Sequence, residues 1–163
     1  MSKLIYISEK TEKLLKSRVF TAIEHQKDIE KPLVMAIIKQ ESNFYPFAIR
    51  YEPQLKRATW YKRLLKEKDN DLYYCSFGLM QILFGIAVSF GFKKDPFSLF
   101  YPEINIYYGT KYLKNLMQRY KNIKDVISAY NQGTPKKDRY GNYKNQEYVD
   151  KVYRYYKMFG GEL

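Results

Sequence analysis

The chain has little cysteine and little histidine: Cys75 and His25 are the single residues of each kind among 163. One cysteine excludes a disulfide within the chain and a zinc site built from cysteines. A serine or cysteine nucleophile paired with histidine would depend on His25 alone, and no nucleophile motif lies near it. We therefore interpret His25 as a structural or surface residue and expect neither a metal site nor a cofactor.

Glycine-rich phosphate and dinucleotide motifs are absent, and so is any apolar run of membrane-spanning length. The first residues lack an apolar core of signal-peptide length, so we expect synthesis in the cytoplasm and no membrane insertion. The chemistry of the chain must then come from carboxylates and other polar side chains.

Positive charge and tyrosine are abundant, with a formal net charge of +12 and 18 tyrosines. A strongly basic protein favours anionic partners: nucleic acid, membrane headgroups or an acidic cell-wall polymer. Tyrosine combines a flat apolar face with a hydroxyl and suits wet, polymer-lined grooves. A basic helical nucleic-acid-binding protein is one interpretation, but no nucleic-acid motif is present, so nucleic acid is not the expected partner.

Apolar residues recur at helical spacing through most of the chain, which predicts one mainly α domain over residues 1–163. The predicted helices and apolar stretches span residues 11–28, 32–42, 55–71, 79–90, 102–120, 123–132 and 146–159. Residues 134–146 are predicted to form a loop, and residues 73–77 are the one candidate extended piece. Gly109 inside a helix costs about 1 kcal/mol relative to alanine, which predicts the close approach of another backbone.

Glu41 stands out because the sequence aims its carboxylate along an apolar helix face. At about 100° per residue, Leu33, Val34, Ile37 and Ile38 occupy one arc, and Glu41 falls near its middle. Burial and the negative end of the helix dipole both raise a carboxyl pKa. A carboxylic acid kept protonated near neutral pH can act as a general acid. The alternative is a surface glutamate on a frayed last turn.

Four elements occur in order along the chain: Glu41-Ser42, Gly78-Leu79-Met80-Gln81-Ile82, Ala129-Tyr130-Asn131-Gln132-Gly133 and Tyr148-Val149-Asp150-Lys151-Val152. Together they resemble the soluble lytic transglycosylase family, whose relatives share the goose-type lysozyme fold. The resemblance covers about residues 32–156 and leaves residues 1–31 as an N-terminal helical extension. It implies a mainly α, lysozyme-like domain with a substrate cleft.

The resemblance also implies roles for the matched positions. Glu41 corresponds to the single catalytic acid/base, and Ser42 to the neighbour that orients the acid or the departing sugar. Gly78, Met80 and Gln81 correspond to the loop that lines the cleft opposite the glutamate. From the spacing alone, Met80 is equally a packing residue and Gly78 a turn residue.

Three further positions match the family on its last two elements. Tyr130 and Asn131 correspond to the pair that contacts the catalytic carboxyl and the N-acetyl group of the substrate. Tyr148 corresponds to a cleft tyrosine on the last helix. Tyr130 also lies on an apolar stripe, so its spacing fits a core role as well.

The family's reaction needs one carboxylate. By resemblance, the protein cleaves the MurNAc–GlcNAc β-1,4 bond of peptidoglycan glycan strands and leaves 1,6-anhydro-MurNAc ends. The N-acetyl group of the substrate assists, its 6-hydroxyl attacks, and one glutamate first donates and then accepts a proton. We therefore expect action at the bacterial cell wall or periplasm, whose anionic surface suits the net charge.

Two departures from the family pattern affect this interpretation. Many transglycosylases carry a glutamate four residues before the tyrosine matched by Tyr148, and here that position is Lys144. Residues 50–53, Arg-Tyr-Glu-Pro, resemble a variant branch seen among phage and prophage relatives. The basic segment of residues 54–74 that follows has the character of an insertion.

Glu52 is the main ambiguity. As a general base it would activate water and make the protein a goose-type muramidase, with the two carboxyls about 6.5–9.5 Å apart. An interaction between Arg50 and Glu52 that stiffens the loop is the interpretation we favour. A non-catalytic wall-binding relative is a third possibility, against which the retained Glu41 argues.

Overall fold

The computed structural model describes residues 9–66 and 70–162. Within these ranges it has seven α-helices: α1 (Glu9–His25), α2 (Lys31–Ser42), α3 (Thr59–Leu64), α4 (Phe84–Ser89), α5 (Pro102–Arg119), α6 (Ile123–Gln132) and α7 (Gln146–Met158). Three short 3₁₀ helices occupy Pro53–Arg57, Asp71–Tyr74 and Pro96–Phe100. The prediction of a mainly α fold is confirmed. No helix in the described part of the chain is long and apolar enough to cross a membrane.

Local sequence signals define the helix ends. Pro32 and Pro102 lie in the first turns of α2 and α5, where a missing N–H costs no hydrogen bond. Asn43 ends α2 in the left-handed conformation, with a φ of 51°. The side chain of Asn122 accepts a hydrogen bond from the backbone N–H of Lys124 and so caps α6.

Three short strands form an antiparallel sheet in the order β1 (Ile49–Tyr51), β2 (Cys75–Phe77) and β3 (Ile82–Leu83). β2 lies in the predicted extended piece, whereas the sequence did not indicate the other two. The apolar stretch of residues 79–90 contains a turn and β3 before α4. Strands of two or three residues are too short to show an alternating pattern.

Two hydrophobic cores share helix α5. The larger one packs α1, α2, α5, α6 and α7 together, and its fully buried side chains include Leu33, Ile37, Met80, Leu113, Ile127 and Val149. The smaller one covers the sheet with α3 and α4, and includes Tyr61, Phe77, Ile82, Ala87 and Leu99. The side chain of Tyr112 packs against both cores.

Gly109 in α5 lies against a side chain, so the prediction of a close backbone is wrong. A Cβ atom on Gly109 would lie 2.4 Å from Sδ and 2.9 Å from Cβ of Met80. The glycine therefore gives the Met80 side chain room inside the larger core. This contact fixes the turn that contains Met80 against α5.

Candidate active site

A cleft of about 460 Å³ lies between the two cores. On the side of the larger core it is lined by Glu41, Tyr112, Tyr130, Asn131, Gln132 and Gly133. On the side of the sheet it is lined by Arg50, Glu52, Gln54, Leu55, Trp60, Gln81, Ile82, Leu83 and Ile86. The volume lies within the range of about 300–1,000 Å³ typical of small-ligand sites.

Glu41 lies in the last turn of α2, half-buried at the wall of the cleft. Burial is the largest effect on its carboxyl and raises its pKa above the usual 4.5, and the negative charge of Glu52 acts in the same direction. A hydrogen bond from Tyr148 and the positive charge of Arg50 oppose the rise. The position of Glu41 on the apolar helix face predicted a raised pKa, and the structure gives a shift in that direction.

Tyr148 in α7 holds one oxygen of this carboxyl. Its hydroxyl donates to Oε1 of Glu41 at 2.5 Å, and in the described part of the chain it is the one hydrogen-bond donor to Glu41. Burial and the charge of Glu41 raise the pKa of Tyr148 well above its usual value. The phenol therefore stays protonated and can donate to Glu41 in either state of the carboxyl.

Tyr130 in α6 does not make the contact that the resemblance implied. Its hydroxyl donates to the backbone carbonyl of Met80 at 2.8 Å, although its ring lines the cleft. The charge of Glu41 still contributes to a pKa of Tyr130 well above the usual value, after the larger effect of burial. In this structure Tyr148 makes the hydrogen bond to the carboxyl, and Tyr130 supports the opposite loop.

Asn131 lies at the exposed end of α6, with its side-chain oxygen already engaged. Oδ1 of Asn131 accepts a hydrogen bond from Nδ2 of Asn145 at 2.9 Å. Asn145 is held in turn, because its Oδ1 accepts from Ser128 at 2.7 Å and from Gln132 at 3.1 Å. This orients the amide of Asn131, and its Nδ2 has no partner among the described residues.

The turn of residues 78–81 faces Glu41 and is anchored from behind by α5. Asn105 is fully buried, accepts from the N–H of Met80 and donates to the carbonyls of Phe77 and Leu99. Gly78 has a φ of +71°, and a Cβ there would lie 2.3 Å from Nδ2 of Asn105. Only glycine fits this position. The Met80 side chain is fully buried in the larger core, outside the cleft.

Gln81 and Ser42 complete the anchoring of that turn. The amide nitrogen of Gln81 donates to the carbonyls of Ala48 and Gly78, and its oxygen accepts from Ser76. The Ser42 hydroxyl donates to the carbonyl of Leu79 at 2.8 Å. Both side chains therefore hold the turn in place beside Glu41.

The structure thus divides the predicted site residues into two groups. Those that line the cleft are Glu41, Glu52, Gln81, Tyr130 and Asn131. Those that support its walls are Ser42, Gly78, Met80 and Tyr148. Their roles in binding substrate stay predictions.

Glu52 is tied to its neighbours by both oxygens, and the favoured interpretation of a pair with Arg50 is confirmed. Oε1 accepts from Nε of Arg50 at 2.5 Å, and Oε2 accepts from Nε2 of Gln54 at 2.6 Å. Burial is the largest single effect on the guanidinium of Arg50 and lowers its pKa, but the hydrogen bond and charge of Glu52, together with electrostatic interactions with Glu41 and Tyr148, raise the pKa above its usual value. The Glu52 side chain is 17% exposed, so the pair is largely shielded on that side.

Trp60 is one of several cleft residues that sequence reasoning did not single out, together with Gln54, Leu55, Leu83, Ile86 and Tyr112. The available signal for Trp60 was that it is the one tryptophan of the chain and lies in the inserted segment after Glu52.

His25 is exposed at the end of α1, as the sequence suggested. Within residues 9–66 and 70–162, no group of three or more His, Cys, Asp or Glu side chains is arranged to hold a metal ion.

Comparison with known families gives one match. The transglycosylase SLT domain family matches residues 18–152, which include every residue that lines the cleft, and Tyr148. No solved structure gives a significant match to the chain. The family match extends over most of the chain, so the protein belongs to the transglycosylase SLT domain family, whose lysozyme-like members act on peptidoglycan.

Proposed function

We propose that this protein is a lytic transglycosylase that cleaves the MurNAc–GlcNAc β-1,4 bond of peptidoglycan at the bacterial cell wall and forms 1,6-anhydro-MurNAc ends. Glu41 is the sole general acid/base. One observation carries the proposal: a half-buried carboxyl of raised pKa lines the cleft, with one oxygen held by Tyr148. The other carboxylate of the cleft, Glu52, has both oxygens engaged.

In the first step Glu41 acts as an acid. Because Tyr148 donates to Oε1, the proton of the neutral carboxyl belongs on Oε2. That proton passes to the O4 atom of the leaving GlcNAc as the bond to C1 of MurNAc breaks. The charge of Glu52 helps to keep Glu41 protonated until then.

In the second step the same residue acts as a base. Glu41, now a carboxylate stabilised by Tyr148 and Arg50, removes the proton of the MurNAc 6-hydroxyl, and this oxygen attacks C1. Glu41 is then protonated again, and no water is consumed. The free Nδ2 of Asn131 is suited to hold the carbonyl oxygen of the N-acetyl group during the reaction.

The hydrolytic alternative needs Glu52 to activate water. Arg50 and Gln54 hold both oxygens of Glu52 by hydrogen bonds, so a water molecule would have to compete for their remaining lone pairs. The geometry therefore favours Glu52 as a fixed charge beside the acid.

Digestion of purified peptidoglycan, followed by mass spectrometry of the released muropeptides, tests the proposal. We expect anhydro-muropeptides, each lighter by one water than the hydrolytic product. Glu41→Gln should lower the rate by roughly 10²–10⁴-fold, the range that a positioned acid/base contributes, while circular dichroism shows an intact fold.

Glu52→Gln is the matched control. It removes the same charge from the other cleft carboxylate and should retain most of the activity and the anhydro product. Reducing ends in place of anhydro ends would reject the transglycosylase mechanism, and full activity of Glu41→Gln would reject Glu41 as the acid.

A further inference from the structure

Trp60 gives the cleft an aromatic surface for which the proposed reaction has no use. We propose that the inserted segment supplies a sugar-binding subsite, in which one ring of the glycan strand stacks on the indole of Trp60. This inference rests on the proposed function, because it takes the ligand of the cleft to be a glycan strand.

The position of Trp60 is the first support. It lies on α3 and lines the same cleft as Glu41, yet its side chain is 53% exposed. The partly buried side chains of Leu55 and Ile86 line the cleft on the same side. A large apolar face left open to water inside a concave surface gains free energy when a ligand covers it.

The anchoring of α3 next to Trp60 is the second support. Its ring lies edge-on to that of Tyr61, with centroids 5.3 Å apart at 85°. Tyr61 is fully buried, donates to the carbonyl of Tyr73 at 2.8 Å and accepts from the N–H of Gly85 at 2.9 Å. A Cβ on Gly85 would lie 2.8 Å from the Tyr61 ring, so α3 and α4 are in close contact. The helix that carries Trp60 is therefore held in place before a ligand binds, which lowers the entropy lost on binding.

The polar groups near Trp60 suit a sugar. A pyranose ring has an apolar C–H face for the indole and hydroxyl groups at its edge. Gln54 donates to Glu52, so its side-chain oxygen, which has no partner in the described part of the chain, can accept from a hydroxyl. The cation of this region that lines the cleft, Arg50, is already paired with Glu52. A carboxylate-bearing stem peptide would have to compete with Glu52 for the one cation that lines the cleft among the described residues.

Intrinsic fluorescence tests the inference directly, because Trp60 is the single tryptophan. In the Glu41→Gln protein, which binds without cleaving, titration with chitohexaose should shift the emission to shorter wavelength in a saturable way. An unlinked stem peptide should leave the spectrum unchanged. Chitohexaose binding seen by calorimetry without a fluorescence change would overturn the inference, as would a shift with the peptide alone.

Substitutions give a second measurement in the same Glu41→Gln background. Trp60→Ala should weaken chitohexaose binding by roughly tenfold, whereas Trp60→Phe, which keeps a flat face, should lose much less. Phe97→Ala is the matched control, because Phe97 is 52% exposed and lines a separate cavity. Equal affinity of Trp60→Ala and its parent would reject the subsite.

The inference and the proposed function can fail separately. Wall cleavage that depends on Glu41 but not on Trp60, with no fluorescence change, would reject the subsite alone. A saturable shift in a protein that does not cleave walls would reject the proposed function and leave a glycan-binding cleft.

Discussion

Glu41 lies where the folded protein disfavours a negative charge. Its neighbours act on the carboxylate in opposite directions. The hydrogen bond from Tyr148 and the positive charge of Arg50 stabilise the carboxylate, whereas the negative charge of Glu52 destabilises it. A residue that must give up and regain a proton needs such a balance, because an extreme pKa in either direction would block one of the two steps.

The raised pKa of Glu41 predicts a pH-dependent gain of stability in Glu41→Gln. The neutral acid is favoured in the folded state, so its stabilising effect is complete below the unfolded pKa near 4.5 and is lost as the pH rises through the higher folded pKa. Glutamine keeps the oxygen that accepts from Tyr148 and carries no charge. We expect a higher melting temperature at neutral pH by a few degrees, since about 1 kcal/mol moves it by roughly 2–4 °C.

Thermal unfolding of both proteins from about pH 4 to about pH 8 measures this effect, which linkage requires to vanish at the acid end. The same Glu52→Gln protein serves as control and should lose stability, because it leaves Arg50 without its partner. A difference between Glu41→Gln and the parent that is constant with pH would show that charge is not its cause.

At the scale of elements, helix α5 supports the catalytic turn. Asn105 and Gly109 lie one turn apart on its buried face, where one binds the backbone of residues 77–80 and the other receives the Met80 side chain. Tyr130 of α6 holds the carbonyl of Met80 from another direction. The turn beside Glu41 is thus fixed by contacts from two helices, which suits a cleft that must keep its shape.

Asn105→Leu should destabilise the protein strongly. The change keeps most of the side-chain volume but removes three buried hydrogen bonds to backbone groups, and each group left without a partner costs roughly 1–3 kcal/mol. We expect a loss of about 3 kcal/mol or more in the free energy of unfolding, measured with urea. Gln118→Leu, at an exposed position of the same helix, should change it by less than about 0.5 kcal/mol. Similar values for the two variants would contradict the anchoring role.

The molecule as a whole carries 29 basic and 17 acidic side chains. Several of the ion pairs lie at the surface, among them Arg18–Glu103 and Lys151–Glu147, and contribute little to stability. An excess of positive charge favours attraction to an anionic polymer.

Binding to walls should consequently weaken with salt, whereas binding of a neutral sugar should not. Sedimentation of Glu41→Gln with purified walls should show an affinity that falls by roughly tenfold or more between about 0.05 and about 0.5 M NaCl, because the ions screen the attraction. Chitohexaose binding, followed by fluorescence, is the uncharged control. If the affinity for walls does not change with salt, attraction to an anionic wall does not explain the net charge.

Local pattern predicted much of this architecture. The helices over residues 31–42, 102–119, 123–132 and 146–158 agree with the apolar periodicity, and proline, asparagine and glycine define several of their ends. The sheet was only partly indicated, because its pairs, such as Ile49 with Phe77, join residues far apart in the chain. The predicted N-terminal extension lies partly outside the described residues, since the structure describes the chain from Glu9.

The sequence by itself determined the position of Glu41 on an apolar helix face, and with it the direction of its pKa shift. It also determined the ordered motifs by which the family is recognised. These features depend on helical periodicity and on residue identity, which can be read without a fold.

Only the tertiary structure decided which groups meet around that carboxyl. Tyr148 lies 107 residues from Glu41, and its hydrogen bond exists because α7 packs against α2. Tyr130 of α6 reaches the carbonyl of Met80, 50 residues before it, and the contact of Tyr61 with Gly85 supports α3 where Trp60 lines the cleft. Contacts of this kind depend on how helices pack in three dimensions, and no local pattern encodes them.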